Sequence, residues 1–422
     1  MKNYLELSAN EREQLLADLR SEYNKYCDMG LSLDLSRGKP NSSQLDVSHG
    51  LMSVDLSGDF CSESGFDCRN YGILDGLPEM KRFFAEIYGI KVEDIVVGGN
   101  SSLQLEYFVL STAMLYGIHN SPMPWCQEGT RKWICLTPGY DRHFRITEKL
   151  GFELISVPMV NGQPDMDTIE QLVTDPTVKG IWCVPKYSNP TGTTYSDETV
   201  KRLAAMECAA PDFIIMYDNA YAVHDFDNRS DTLLDIFTEA EKCGNKDRVI
   251  YFSSTSKITF PGGGVSFFAA SAAQRAKLLA ALGAETIGFD KLNQLRHLRY
   301  FGNAENLFSH MKKLGALIRN KFDISVNELS VLKGLGIAEW TEPNGGYFIS
   351  LDVLPGTAKR VYTLMKEAGV TLTDVGATHP YGVDPDDKNL RLAPTYPTDE
   401  DLALAMRILT VAVRIAALEK LA

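Results

Sequence analysis

Short apolar runs alternate with longer stretches of helical periodicity along most of the chain. Because these runs are short and rich in β-branched and aromatic residues, they predict buried strands. The predicted strands cover residues 95–97, 133–136, 153–158, 180–184, 213–217, 249–253 and 265–269. Helices are predicted between them, for example from 77, from 102 and over 197–208. This alternation predicts an α/β fold with a mostly parallel seven-stranded sheet between helices.

Both ends of the chain differ from this pattern. Residues 7–27 place apolar side chains at helical spacing and predict an amphipathic helix with Ser8 as its N-cap. After about residue 300 the pattern predicts a helix at 304–322, a strand from Gly346 to Leu351, a helix at 357–368, a strand at 389–393 and a C-terminal helix. Mixed elements of this kind are typical of a smaller α+β domain.

The length of 422 residues also favours two domains over one. We predict an N-terminal segment at 1–48 that packs with the small domain, a large domain at 49–300 and a small C-terminal domain at 301–422. No internal repeat or sharp linker marks these boundaries.

Charge narrows the classes of function. The chain has 42 Lys and Arg against 55 Asp and Glu, a net charge of −13, and no basic cluster, which disfavours nucleic acid and anionic membranes as partners. No stretch approaches the about 18 consecutive apolar residues of a membrane span, and the charged N-terminus lacks the apolar core of a secretory signal. We therefore expect a cytoplasmic protein.

Cysteine and histidine spacing adds a second restriction. The eight cysteines are scattered and form no C-x-x-C pair, and the seven histidines show no paired spacing of the ligand type. Free thiols and no bound metal are the simplest expectation.

Three polar motifs directly follow predicted strands, in the order Ser188-Asn189-Pro190-Thr191-Gly192, Tyr217-Asp218-Asn219-Ala220-Tyr221 and Ser253-Ser254-Thr255-Ser256-Lys257. Each has an ordinary explanation when it is taken alone: a turn, a helix cap and a surface lysine. However, open α/β sheets collect ligand-binding side chains at the carboxyl ends of their strands. The joint occurrence of the three motifs in this order is improbable by chance.

With these motifs the chain resembles the class I, fold type I aminotransferases from about residue 30 to its C-terminus. The forms SSTSK and YDNAY further resemble the divergent bacterial branch of aspartate aminotransferases. The resemblance implies a two-domain fold type I enzyme that uses pyridoxal 5'-phosphate and works as a homodimer with shared active sites.

The resemblance also implies residue roles around the cofactor ring. Lys257 carries the cofactor as a Schiff base and then moves the substrate Cα proton. Asp218 faces the pyridine nitrogen, while Asn189 and Tyr221 hold the phenolate oxygen. Tyr140, in a Pro-Gly-Tyr turn that could also be an ordinary turn, stacks on the ring.

The cofactor phosphate is expected at the start of the helix near 102, where Gly99, Asn100 and Ser101 offer backbone N–H groups. Ser254 adds a hydroxyl. By the same resemblance, Tyr71 reaches the phosphate of the neighbouring subunit. At Val265 the sequence departs from the family, which carries a phosphate-binding arginine there, so glycine N–H groups or another basic residue must substitute.

For the substrate, Arg391 matches the arginine that binds the α-carboxylate, with Gly38 and Asn189 beside it. A dicarboxylic substrate needs a second cation. The candidates are Arg37, Lys39, Lys186, Lys291 and Arg296, and Arg37 is favoured because its loop folds over the substrate in the family. His143, close to Tyr140, either lines the site or is an exposed helix residue.

The leading hypothesis is ping-pong transfer of the amino group from L-aspartate to 2-oxoglutarate, giving oxaloacetate and L-glutamate. An aminotransferase for aromatic or branched amino acids, or a pyridoxal-phosphate β-lyase, remains an alternative because the lysine motif is common to all of these. A non-catalytic regulatory domain is less favoured, since the chain has no room for a DNA-binding module before the motifs.

Overall fold

A computed structural model describes residues 2–226 and 229–422. Its helices, numbered in chain order, are α1 (Ala9–Cys27), α2 (Ser42–Asp46), α3 (Pro78–Tyr88), α4 (Ser102–Tyr116), α5 (Asp141–Lys149), α6 (Met166–Leu172), α7 (Asp197–Ala205), α8 (Ile236–Lys242), α9 (Ala272–Glu285), α10 (Lys291–Phe301), α11 (Ala304–Leu329), α12 (Ala358–Glu367) and α13 (Asp399–Leu421).

The strands are β1 (Leu33–Asp34), β2 (Ile95–Val97), β3 (Lys132–Thr137), β4 (Glu153–Val160), β5 (Gln163–Pro164), β6 (Val178–Cys183), β7 (Ile214–Asp218), β8 (Val249–Ser254), β9 (Ser266–Ala270), β10 (Ala338–Trp340), β11 (Ile349–Val353), β12 (Val370–Thr371) and β13 (Asn389–Leu392). All seven strands predicted for the large sheet are present, with ends within two residues of the prediction. The α/β fold is therefore confirmed.

The large sheet has the strand order β2-β9-β8-β7-β6-β3-β4-β5. Strands β8, β7, β6, β3 and β4 pair in parallel, while β9 is antiparallel to both of its neighbours. The short β5 extends the predicted seven strands by one at the edge. Since parallel strands end at the same edge, the loops that follow them meet there.

Both faces of this sheet are buried. Side chains alternate between the faces along each strand, so Val97 and Ile181 enter one hydrophobic core while Val96 and Trp182 enter the other. Two covered faces explain why these strands are apolar throughout rather than alternating.

A third core belongs to the smaller sheet, in which β10, β11 and β13 are antiparallel. The N-terminal segment joins this part of the molecule. Helix α1 packs on α13, and β1 pairs with β12 through Leu33 and Val370. Ser8 caps α1 as predicted, because its side chain and that of Glu11 form a reciprocal capping box.

Helix α11 is shared between two cores. Its first half places Leu307, Met311 and Leu314 in a core of the large sheet, and its second half places Ile318 and Phe322 in the core of the small sheet. One continuous helix therefore packs in a core of the large sheet with its first half and in the core of the small sheet with its second half. The domain boundaries at residues 48 and 300 stay predictions.

Three predicted elements have an end that differs by three or more residues from the structure. Helix α7 ends at Ala205, three residues before the predicted end at 208. Helix α11 continues seven residues beyond 322, to Leu329. The strand predicted from Gly346 begins at Ile349 instead, because Gly346 has a left-handed φ of +84° and its N–H bonds to the His224 carbonyl. Within residues 2–226 and 229–422, no helix is both long enough and apolar enough to cross a bilayer.

Candidate active site

The carboxyl edge of the large sheet brings the three sequence motifs together. Strand β7 ends at Asp218, β8 ends three residues before Lys257, and β6 leads into the turn with Asn189. Together with the small sheet they enclose a cleft of about 460 Å³ lined by Ser36, Arg37, Gly38, Tyr140, Asp141, Arg142, Asn189, Tyr221, Lys257, Phe348 and Arg391. Five predicted site residues from the large sheet and the small sheet thus share one cavity with Arg37 and Gly38.

Lys257 is held by its backbone, which leaves its amine free to enter the cleft. Its carbonyl oxygen accepts hydrogen bonds from His224 Nε2 at 3.3 Å and from the Tyr347 hydroxyl at 3.5 Å. Its Nζ lies 4.8 Å from the centroid of the Tyr221 ring. Burial, helped by the Lys257 charge, lowers the pKa of His224 to about 3, so the imidazole is neutral.

Asp218 is buried, and one of its carboxylate oxygens lies close to the His143 imidazole. Oδ2 lies 3.4 Å from His143 Nε2, and the same nitrogen lies 3.2 Å from Glu106 Oε2. In the described part of the chain, Asp218 Oδ1 is buried without a hydrogen-bond partner. Burying a carboxylate oxygen without a hydrogen bond costs free energy. This oxygen is therefore a candidate acceptor for a hydrogen-bond donor on a bound ligand.

His143 is fully buried rather than exposed, so the exposed-helix alternative was wrong. Its ring stacks on Trp182, with centroids 4.3 Å apart, and meets Tyr140 edge-on at 4.8 Å. Burial lowers the pKa of His143, but the adjacent Glu106 and Asp218 carboxylates outweigh burial and raise it. The imidazole is therefore a cation at neutral pH.

Arg391 projects from β13 into the cleft. Its Nη1 lies 2.7 Å from Asp141 Oδ1 and donates to Asn189 Oδ1 at 3.4 Å. Its guanidinium carbon lies 5.3 Å from the centroid of the Phe348 ring. Among the described residues nothing accepts a hydrogen bond from its buried Nε, so the fork keeps an unused donor.

Gly38 lies against the same phenyl ring. A Cβ atom built on Gly38 would overlap the Phe348 ring, so the loop can approach only as glycine. Phe348 therefore contacts both Gly38 and Arg391, two residues predicted to bind the substrate carboxylate.

The start of α4 lies beside the lysine loop. Ser101 is the N-cap of α4 but makes no side-chain cap bond, and the Asn100 carbonyl accepts from Ser256 Oγ at 2.6 Å. Ser254 Oγ donates to Ser256 Oγ at 3.1 Å, and the Gly99 carbonyl accepts from the Ser266 N–H at 2.8 Å. The predicted phosphate residues are thus neighbours at a helix N-terminus.

The sequence of the chain matches a known protein family. Residues 7–422 match the sequence profile of the family described as aspartate amino-transferase. The chain is 48% identical over 403 residues to an aspartate aminotransferase of Corynebacterium glutamicum, covering 95% of this chain and 93% of that one. The chain belongs to the aspartate aminotransferase family.

Solved structures support the assignment to this family. A crystal structure of an aspartate transaminase from Corynebacterium glutamicum superposes with a TM-score of 0.97 at 46% identity, covering 100% of this chain and 99% of that one. An α-aminoadipate aminotransferase from Thermus thermophilus shares the fold, with a TM-score of 0.74 at 20% identity and coverage of 99% and 97%. The protein is thus a fold type I, pyridoxal-phosphate-dependent aminotransferase.

The cleft of this aminotransferase fits the cofactor of its family. Lys257 offers an amine, Asp218 Oδ1 offers a buried acceptor where a protonated ring nitrogen requires one, and the α4 N-terminus offers N–H groups to a phosphate. Tyr221, on the cleft wall, has a pKa that burial raises strongly, so its hydroxyl keeps its proton and can donate.

Two positions of the aminotransferase leave predictions open. The Val265 side chain is buried and its N–H donates to Thr255 Oγ1 at 2.9 Å, so this residue stabilises the lysine loop. The groups that take over from the family's arginine at this position stay a prediction. The Tyr71 side chain is 79% exposed, and its predicted reach into a neighbouring subunit stays a prediction too.

Of the candidates for the second substrate cation, Arg37 lines the cleft, with a side chain that is 68% exposed and 3.7 Å from Asp34. Three others contact different groups. Lys39 lies over the Tyr396 ring, Lys186 pairs with Asp225, and Lys291 donates to the Phe289 carbonyl. These three are oriented toward partners outside the cleft lining.

Sequence reasoning missed several residues of the aminotransferase site. Asp141 and Arg142 begin α5 immediately after Tyr140, so their position after a strand end was a usable signal. Nothing local marked Phe348 or Glu106, because both resemble ordinary buried members of their elements. Their proximity to the site arises only from the tertiary fold.

Proposed function

We propose that this aminotransferase transfers the amino group of L-aspartate to 2-oxoglutarate, giving oxaloacetate and L-glutamate by a ping-pong mechanism. The observation that carries the proposal is the lining of one cleft, which includes Lys257, Arg391 and two further arginines, Arg37 and Arg142. Three guanidinium groups suit substrates that carry two carboxylates.

The α-carboxylate would bind to Arg391. Asn189 and Asp141 hold this guanidinium in place before the substrate arrives, and Nε remains available as a donor. Because Gly38 has no side chain, its loop can approach Phe348, which also contacts the Arg391 guanidinium. A fork fixed in this way orients the substrate so that its Cα–H bond faces the lysine amine.

Lys257 Nζ would then take the substrate Cα proton and return a proton during transfer of the amino group. Bound pyridoxal phosphate supplies an electron-withdrawing ring that acidifies this proton. Asp218 keeps the ring nitrogen protonated, while Asn189 and the Tyr221 hydroxyl stabilise negative charge on the ring oxygen. Tyr140, whose pKa is raised mainly by burial, presents a neutral aromatic surface to the ring.

The second carboxylate of the substrate would face Arg37 and Arg142. Both line the cleft, Arg37 from the N-terminal loop and Arg142 from the first turn of α5. A cleft lined by two further cations favours the charged side chains of aspartate and glutamate over an uncharged aromatic or branched side chain.

The proposal is tested by the absorption spectrum of the holoenzyme. Addition of L-aspartate without an oxo acid should convert the visible band of lysine-bound cofactor to the near-ultraviolet band of pyridoxamine phosphate, and 2-oxoglutarate should reverse the change. Lys257→Ala should abolish both conversions. If aromatic or branched amino acids convert the band and aspartate does not, transamination stands and the aspartate assignment fails.

Substrate preference gives a sharper test at the arginines. We expect Arg142→Gln and Arg37→Gln each to lower kcat/KM for aspartate by about 10- to 100-fold while alanine turnover is unchanged, because only aspartate carries the second carboxylate. Arg145→Gln is the matched control: Arg145 lies on the same helix, is 61% exposed and pairs with Glu148. Equal loss for aspartate and alanine would contradict this assignment.

We further propose that the enzyme is a cytoplasmic homodimer in which Tyr71 completes the phosphate site of the partner subunit. The exposure of this aromatic side chain supports the proposal, since a tyrosine so open to water is available to a second copy of the chain.

A further inference from the structure

The carboxylate of Glu106 is buried close to the site and has no role in the proposed transamination. Glu106 lies on α4, and its side chain and that of His143 are each only 1% exposed. An ionised glutamate is rarely found at such depth unless it is paired. The burial of this ionisable side chain therefore needs an explanation from the groups around it.

Two carboxylates share one imidazole nitrogen. Glu106 Oε2 and Asp218 Oδ2 lie 3.2 and 3.4 Å from the same Nε2 of His143. All three groups lie within 4.8 Å of one another. A metal could in principle bridge such a set, but the raised pKa of His143 means that a proton already occupies the nitrogen lone pair.

The charges of this trio do not cancel. When Glu106 is ionised, two carboxylates and one imidazolium leave one negative charge in excess. Burial raises the pKa of Glu106 to about 7; the charge of His143 opposes this rise, and that of Asp218 adds to it. The excess charge lies beside Asp218 Oδ1, which, like both Glu106 oxygens, is buried and has no hydrogen-bond partner among the described residues.

We propose that Glu106 is a positioning residue that gives the cofactor site its preference for a protonated pyridine nitrogen. The ring N–H⁺ at Asp218 Oδ1 is the second cation that balances two carboxylates against two positive charges. Without Glu106, Asp218 and His143 would already neutralise each other, and the attraction for a pyridinium would fall. The inference rests on the proposed placement of Asp218 at the ring nitrogen.

The alternative is that Glu106 only fills space and holds α4 against α5. A purely structural role would affect every ligand of the cleft equally, whereas a charge role depends on the ring nitrogen of the ligand. This difference allows a test that does not depend on turnover.

The test compares the affinity of the apoenzyme for pyridoxal phosphate with that for 1-deazapyridoxal phosphate, in which CH replaces the ring nitrogen. We expect Glu106→Gln to weaken binding of pyridoxal phosphate about tenfold and to leave binding of the deaza analogue unchanged. Glu106→Asp keeps the charge and should retain most of the wild-type discrimination. In the Glu106→Gln holoenzyme, the ¹⁵N resonance of ring-labelled cofactor should shift toward the unprotonated form.

Glu79→Gln is the matched control, since Glu79 is also buried but lies on a different helix, α3, where it accepts a hydrogen bond from the Glu63 N–H. Equal weakening for both ligands, or undiminished discrimination in a folded Glu106→Gln protein, would overturn the inference. If the wild type itself does not discriminate, the placement of Asp218 fails instead, and the aspartate-driven spectral change separately reports on the proposed function.

Discussion

At the scale of single residues, Phe348 links two parts of the chain that are proposed to bind the same substrate group. Its ring contacts Gly38 of the N-terminal loop and lies beneath the Arg391 guanidinium. Because the Phe348 ring lies between the Gly38 backbone and the Arg391 guanidinium, it restricts the position of both. The position of the guanidinium therefore depends on the absence of a side chain at Gly38.

We therefore expect Gly38→Ala to lower kcat/KM for aspartate by about tenfold or more, because the new methyl group displaces Phe348 and with it Arg391. The loss should appear mainly in KM. Steady-state kinetics check this, with Gly129→Ala as the control, since a Cβ there meets no atom within 4 Å. An unchanged KM in Gly38→Ala would show that the ring does not position the arginine.

The sequence predicted the residues of the site that follow strand ends. Lys257 and Asp218 could be found because short apolar runs precede them and the spacing between motifs is distinctive. Arg142 also follows a strand end and could have been found in the same way, whereas Phe348 and Glu106 could not. Their roles depend on which side chains the fold brings opposite each other, and no local pattern records that.

At the scale of elements, the lysine loop is held by α10. The Nε2 atom of His297 accepts from the hydroxyls of Thr255 and Thr259, both at 3.1 Å, and its Nδ1 donates to the Asn293 carbonyl at 2.9 Å. The histidine can accept on one side only while it is neutral. Protonation would remove the acceptor for both threonines that flank Lys257.

This arrangement predicts a loss of stability in acid. Burial lowers the pKa of His297 to about 4 from an ordinary value of 6.5, so the folded state resists a proton that the unfolded chain accepts. Stability is complete above about pH 6.5 and falls as the pH decreases toward 4, by up to about 3 kcal/mol from this group.

Denaturant unfolding at about pH 7 and about pH 4 measures the effect. The change in free energy of unfolding between these two pH values should be about 3 kcal/mol smaller in His297→Gln than in the wild type. His119→Gln, at a partly exposed histidine, controls for the loss of a titrating group. The same pH dependence in His297→Gln and wild type would contradict the prediction.

Element boundaries show where sequence information ends. The strands of the large sheet were predicted to within two residues because burial on both faces requires continuous apolar runs. The two-residue β5 carries no such signal, and the left-handed backbone at Gly346 is specified by a contact with the His224 carbonyl on a distant loop.

At the scale of the whole molecule, the proposed shared site can be tested by mixing inactive chains. Lys257→Ala and Tyr71→Ala homodimers should both be impaired, whereas a mixed dimer holds one site with an intact Lys257 from one subunit and Tyr71 from the other. We expect co-refolding of the two variants to restore up to about a quarter of wild-type activity, by random pairing of subunits. No recovery, although mixed dimers are isolated, would place Tyr71 outside the partner's site.

Helix α11 connects the part of the enzyme that carries Lys257 with the part that carries Arg391. Lys257 belongs to the large sheet and Arg391 to the small one, and helix α11 contributes side chains to the cores of both sheets. Each residue inserted into or removed from a helix turns everything beyond it by about 100°. A change of one residue between Leu314 and Ile318 would thus turn the part of α11 that packs on the small sheet relative to the part that packs on the large sheet. We expect such a change to shift Arg391 relative to Lys257, although none of the described residues that line the cleft belongs to α11.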